Sequence, residues 1–336
     1  GGGANSHVAR LANMTYPFTE AKEWNRFAPK PLKQLLVRST NVLGYKPQPK
    51  NAMQVTGEMI CDNYQVVRSF DFLNHVENML PFAEVVMNRK DCVFEPALSM
   101  SWAKGFDVEH YLGVTDHIVR MMAKLLGVDP HKAARHFILG LKDMGGVCPP
   151  RFISELVTAL RKKWPELVLH YHRHYTDGLF VPACGAAAKA GCQILDVALG
   201  SSVRSYGQGD VQSMVAYLEG ELGLKTKLNM DAIREANFVN KQLMPYYDRY
   251  AGFRLHRRQC HPPRHARRRH LLLAGRRCEA GLHHDSALYA PFPRADPQDR
   301  ALPRRDARQP DHLEHRFPRR DRRLQARRRG RGQIPS

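Results

Sequence analysis

Six short apolar runs, 35–38, 64–71, 92–100, 137–143, 167–174 and 194–199, each carry at or near their C-terminal end a side chain able to do chemistry. These are Arg38, Asp71, Ser99, Lys142 with Asp143, His172 with His174, and Asp196. Segments of helical period separate them. Residues 111–126 set Leu112, Ile118, Met121, Met122 and Leu125 on one stripe. Residues 152–163 do the same with Phe152, Leu156 and Leu160, after the helix-starting pair Pro149-Pro150. Strands alternating with helices predict βα units around a parallel sheet. Reactive groups at the C-terminal ends of strands are what an α/β (β/α)8 TIM barrel needs, because its site is built there. An open doubly wound sheet gathers ligands at the same ends, but no GxGxxG follows any run, which disfavours its dinucleotide-binding form. The barrel is the expected fold.

The net charge of +20 over 336 residues points to a nucleic-acid partner until it is divided along the chain. Residues 1–252 hold 29 Lys and Arg against 24 Asp and Glu, a net of +5, and residues 253–336 hold 23 against 8, a net of +15. All 23 of those tail cations are arginine, whereas the body has 16 lysines. A basic arm shaped for RNA mixes Lys with Arg and intersperses Ser, Gly or aromatic residues. Arg-, Pro-, His- and Ala-rich sequence without Lys is instead what a GC-rich gene yields in a wrong frame. The expectation is a partial barrel over 1–252 and a disordered, out-of-frame tail over 253–336. Such a tail binds polyanions non-specifically and in a salt-dependent way, with no specific nucleic acid. The seven cysteines show no CxxC pairing, which suits reduced thiols and a cytoplasmic location. No apolar run approaches the roughly 18 residues of a membrane span. The chain opens on Gly1-Gly2-Gly3 without a methionine, as a piece of a longer protein would.

The chemistry concentrates in two segments. In Leu169-His170-Tyr171-His172-Arg173-His174-Tyr175, alternation along a strand sets His170, His172 and His174 on one side. Imidazoles about 7 Å apart along a strand can converge on one divalent ion; a surface strand or aromatic packing in the core is the plainer alternative. In Leu139-Gly140-Leu141-Lys142-Asp143-Met144-Gly145-Gly146 a lysine closes an apolar strand, where leaving it unpaired is costly. A salt bridge to Asp143 or another carboxylate would satisfy it. The functional options are a Schiff-base nucleophile, a base of lowered pKa, or a carbamylated lysine that ligates metal as an anion. Beside the histidine strand, metal ligation is the better reading. Arg38 and Arg68 suit a planar carboxylate, while an Arg38–Asp71 structural ion pair is equally open.

Taken in order, LLVRSTNVLGY, VVRSFDFLN, LGLKDMGG, LHYHRHYTDG and Asp196-Val197-Ala198 resemble the carboxyltransferase component shared by pyruvate carboxylase, the oxaloacetate decarboxylase α-subunit and transcarboxylase. The likeness spans residues 1–252. It implies a (β/α)8 barrel holding a divalent ion (zinc, manganese or cobalt) through an aspartate, a carbamylated lysine and two histidines. Lys142, His172 and His174 match the last three ligands, and His170 is left deeper in the barrel. Arg38, Tyr45 and Asp71 match residues at the substrate end of the barrel. The implied reaction moves a carboxyl group between carboxybiotin and pyruvate or oxaloacetate. Its implied partners are a biotin carboxyl carrier domain or subunit and a biotin carboxylase, in a homo-oligomer.

The departures matter as much. The family's first strand, with its metal-binding aspartate and a substrate-contacting glutamine, is expected before Gly1. The barrel is thus expected to lack its first strand and most of its second. His7 stands where the family has an aspartate, and 200–209 diverges enough that no role is carried over. A family segment like LHGMPGGATSSSQ, read from GC-rich codons in a shifted frame, gives the string found at 262–275. The family's proton-shuttling hydroxyl residue is expected to be lost with that frame, so no catalytic proton carrier is assigned. Two other readings stay open: a metal-dependent aldol/Claisen lyase or synthase barrel, marked by acyl-CoA turnover, and a non-enzymatic polyanion binder, marked by binding that disappears with the tail.

Overall fold

The computed structural model describes Ser6, residues 14–203 and residues 207–248. His7 and the 253–336 tail lie outside them. Six strands form one parallel sheet in the order β1 to β6: β1 Gln34–Val37, β2 Val66–Phe70, β3 Val93–Ser99, β4 Ile138–Asp143, β5 Val168–Arg173 and β6 Ile194–Leu195. All six expected runs are strands: the first is shifted one residue towards the N-terminus, the others are trimmed, and the last keeps only two paired residues. Strictly sequential order has no reversal point, which removes the doubly wound alternative. The sheet also curls. Arg68 on β2 reaches Asp196, just past β6, at 2.9 Å, although four strand spacings in a flat sheet would separate them by roughly 19 Å.

Most of the helices pack on the outer face of this half-barrel, while the last meets the turn at Gly200–Ser202. The helices are α1 Pro17–Phe27, α2 Lys50–Cys61, α3 Leu80–Met87, α4 Val108–Leu126, α5 Pro130–Ala133, α6 Pro150–Lys163, α7 Phe180–Lys189, α8 Val211–Gly220 and α9 Met230–Asp248. Their starts are legible: Pro17, Pro130 and Pro150 stand at first-turn positions, and the carboxylates of Asp107, Asp129 and Asp210 accept the exposed amides of His110, Lys132 and Ser213. The Asp107 cap begins α4 three residues before the sequence expectation. The buried side of α4 is Tyr111, Thr115, Ile118, Val119 and Met122, so the stripe is rotated: Leu112, Met121 and Leu125 are only half-buried. On α6, Phe152, Leu156 and Leu160 are buried as expected.

Period-two alternation divides every strand between two environments. Val37, Val67, Leu98, Leu139, Leu141, Leu169 and Tyr171 face the helices and are fully buried with Phe82, Ile118, Ile153 and Leu156 in one apolar core. The other parity carries Gln34, Arg68, Glu95, Gly140, Lys142, His170 and His172 into the concave interior. Gly140 is required there, because a Cβ would lie 2.8 Å from Ala97 Cβ and 3.0 Å from Glu95 Oε1. Among the described residues no helix is long and apolar enough to cross a membrane. Gly140→Val should therefore cost about 1–3 kcal/mol through overpacking, read as a lower urea midpoint at unchanged slope.

Candidate active site

Arg68 is the hub of the interior. Its Nε donates to Glu95 Oε1 at 2.6 Å and its Nη1 to Asp196 Oδ2 at 2.9 Å, while Nη2 lies 2.9 Å from His170 Nδ1. His170 in turn sits 3.2 Å from Glu95 and 2.8 Å from Asp196. Gln34 adds a hydrogen bond to the second Glu95 oxygen. Arg68, Glu95 and His170 are all buried, so the network works in a medium where an unpaired charge is expensive. Burial opposes ionisation of Asp196, but the hydrogen bonds from His170 and His172 and the Arg68 charge outweigh it and hold its carboxyl well below the usual range. Burial also disfavours a charged His170, yet its bonds to Asp196 and Glu95 raise its pKa overall.

Above this layer, at the C-terminal ends of β4 and β5, stand Lys142 and His172, which are register partners across the ladder. Lys142 is buried, and its Nζ lies 4.4 Å from the centre of the Phe70 ring. It makes no salt bridge to Asp143, because adjacent residues point to opposite faces. Asp143 instead accepts the amides of Val147 and Cys148 at 3.0 Å and faces Arg173 at 3.6 Å. Burial, then the charges of Arg68 and Arg38, bring the Lys142 ammonium down to about 8, against the opposing pull of Asp143. His172 Nδ1 meets Asp196 Oδ2 at 2.6 Å, and burial lowers its pKa despite that carboxylate. His174 is half-buried one step further out, its ring 5.2 Å from that of His172.

The remaining expected residues separate into two groups. Arg38 is half-buried; its Nη1 donates to Gly44 O at 3.1 Å and its guanidinium lies 4.3 Å over the exposed Tyr45 ring. The loop between them holds Ser39 and Val42 at φ of 41° and 53°, a strained backbone of the kind that accompanies functional loops. Asp71 turns the other way. Its oxygens accept from Leu73 N at 2.9 Å, His75 N at 3.1 Å and Asn78 Nδ2 at 2.9 Å, so it organises the loop after β2, and the Arg38–Asp71 ion pair is not formed. Asn74 in that loop bonds both Ser99 N and Ser99 O, tying it to the end of β3.

Sequence reasoning named no part for Glu95, read Arg68 only as suited to a planar carboxylate, and named no part for Gln208. The signal for the first two was available: a Glu and an Arg at interior parity on neighbouring strands must neutralise each other. Gln208, whose Nε2 lies 3.4 Å from His172 Nε2, comes from the divergent 200–209 stretch and had no such signal. Among the described residues no group of three His, Cys, Asp or Glu side chains could hold a metal ion; Lys142, the register partner of His172, is the candidate third donor beside His172 and His174. The set fits a divalent ion if the lysine supplies an anionic oxygen, for which a neutral amine is the precursor.

Arg68→Met should cost about 3–5 kcal/mol by stranding Glu95, and adding Glu95→Leu should recover part of it; a double-mutant cycle in urea measures both.

No protein-family model matches the chain. Among curated proteins it is 32% identical over 226 residues to the mitochondrial pyruvate carboxylase of Mus musculus, which covers 65% of this chain and 18% of that protein. It is 31% identical over 239 residues to the mitochondrial pyruvate carboxylase of Homo sapiens, covering 69% of this chain and 19% of that one. The chain thus spans about a fifth of the length of these relatives. Among solved structures it is similar to the carboxyl transferase domain of Rhizobium etli pyruvate carboxylase with pyruvate, at a TM-score of 0.65 and 25% identity over 73% of this chain and 40% of that chain. The same domain with pyruvate and biocytin aligns at a TM-score of 0.63 and 25% identity, over 73% and 40% of the two chains.

Proposed function

Because the chain belongs to the biotin-dependent carboxyltransferase family, we propose that its barrel serves the transfer of a carboxyl group between carboxybiotin and pyruvate or oxaloacetate. The observation that carries this reading is the placing of buried Lys142 and half-buried His172 and His174 at the C-terminal ends of adjacent strands, with Arg38 close enough to depress the Lys142 pKa. Lys142 as a carbamate, with His172 and His174, would hold a divalent ion (zinc, manganese or cobalt), whose chemistry is Lewis-acid polarisation of the substrate's keto oxygen.

The protein's own groups do the rest. Arg38, stacked on Tyr45, offers a planar fork to the substrate carboxylate and favours the negative charge that grows as the methyl proton leaves. Asp71 acts indirectly, by fixing the loop beside the mouth. The biotin, carboxylated by a biotin carboxylase, is delivered on a carrier domain or subunit, within a homo-oligomer. The division read from sequence is kept as part of the proposal: a partial barrel over 1–252, followed by out-of-frame sequence over 253–336. With the family's proton-shuttling residue lost in that tail, the chain alone is expected not to carboxylate pyruvate with free biotin at a useful rate; metal-dependent, biotin-stimulated oxaloacetate decarboxylation would contradict that part.

Binding tests the central claim without requiring turnover. Pyruvate should bind in the presence of Mn2+ by calorimetry, and Arg38→Ala should weaken it about 10- to 100-fold, the loss of a charge-assisted hydrogen bond. Acyl-CoA binding with no pyruvate binding would favour the aldol/Claisen alternative instead.

A further inference from the structure

His172 is usable as a donor only if the right nitrogen carries its proton, and nothing in the histidine itself decides that. Free imidazole exchanges between two neutral forms. Here the choice is made by the interior network. Asp196 Oδ2 is 2.6 Å from His172 Nδ1, which makes Nδ1 the protonated nitrogen. The opposite nitrogen, Nε2, faces the Gln208 amide nitrogen at 3.4 Å, a donor meeting a lone pair. The carboxylate cannot swing away, because Oδ2 also accepts from Arg68 Nη1 at 2.9 Å and Oδ1 is engaged by His170 Nε2 at 2.8 Å. Arg68 is in turn clamped by Glu95, which is fully buried on β3.

We propose that Asp196 is a positioning residue, held by Arg68 and His170, that fixes His172 as its Nδ1–H tautomer and so leaves the lone pair on Nε2, on the side of Gln208. The proposal rests on the carboxyltransferase reading for what the lone pair is used for, but the tautomer assignment stands on the hydrogen bonds alone. It also gives a reason for four charged or polarisable groups to occupy the floor of the barrel, where apolar side chains of similar volume would serve stability as well or better. A carboxylate that orients a ligating imidazole from behind commonly changes metal affinity about 10- to 100-fold when removed.

The geometry makes two variants behave differently. Asp196→Ala removes the acceptor from Nδ1, so His172 should relax toward the Nε2–H form. Asp196→Asn should not, because both Arg68 and His172 donate to the Oδ2 position. The amide will place its carbonyl there and turn its NH2 toward His170. His172 then keeps Nδ1–H while the His170 signature changes. The measurement is a two-bond 15N–1H correlation spectrum of the full chain with 15N-labelled histidine, His172 being assigned by its loss in His172→Gln. Wild-type His172 in the Nε2–H form overturns the proposal, as does an Asp196→Ala spectrum in which His172 is unchanged. Should Asp196→Ala not fold, Asp196→Asn decides: a switched His172, or an unchanged His170, overturns it. A parallel Co2+ titration separates this inference from the reading beneath it. If the wild-type chain binds no Co2+, the metal reading fails and the tautomer result still decides for Asp196. If Co2+ binds, Asp196→Ala should bind about 10- to 100-fold more weakly, and equal affinity overturns the positioning role.

Discussion

The buried link from Arg68 to Glu95 and Asp196 is the constraint on which the rest of the barrel depends. One guanidinium joins β2, β3 and the segment after β6, and so fixes how tightly the sheet curls. Its five donors in a rigid fork let it serve two carboxylates at once, which a lysine could not do with the same geometry. The curl brings the ends of β4 and β5 over this ion-paired floor, and the apolar outer core then holds the strands in that arc. Fold and site are therefore built from the same side chains. Loss of Arg68 would loosen the curvature and the support of His172 together.

The neighbouring Lys142 and Asp143 show how one strand divides its labour. Asp143 points outward and anchors the turn after β4 through the amides of Val147 and Cys148, with Arg173 from β5 beside it. Lys142 points inward and has an aromatic face as its neighbour. Burial beside two arginines leaves it easier to deprotonate than an ordinary lysine, which is the state a carbamate-forming amine needs.

Much of this was legible in the chain. The six strands followed from apolar runs ending in reactive groups, and the interior parity of His170, His172 and Lys142 followed from alternation. The α4 stripe was drawn off-centre because Thr115 and Val119, ordinary residues by composition, are fully buried while Leu112 packs against the core only half-buried. The link of Arg68 to Asp196 was not readable, since it depends on curvature that brings together residues 128 positions apart. The loop contacts of Asp71 were not readable for a related reason: a carboxylate at a strand end looks the same in sequence whether it faces a ligand or its own following loop.

The two-sided strands have a consequence for how such a chain can change over time. In β5 the interior histidines alternate with Tyr171 and Arg173, both fully buried on the helix side. Substitution can alter either face independently. A single inserted or deleted residue within β4 or β5 cannot, because it exchanges the two faces for every position beyond it. It would drive Arg173 into the interior and a histidine into the apolar layer. These strands can drift in composition but are frozen in length, and variation in length is confined to the loops that join them.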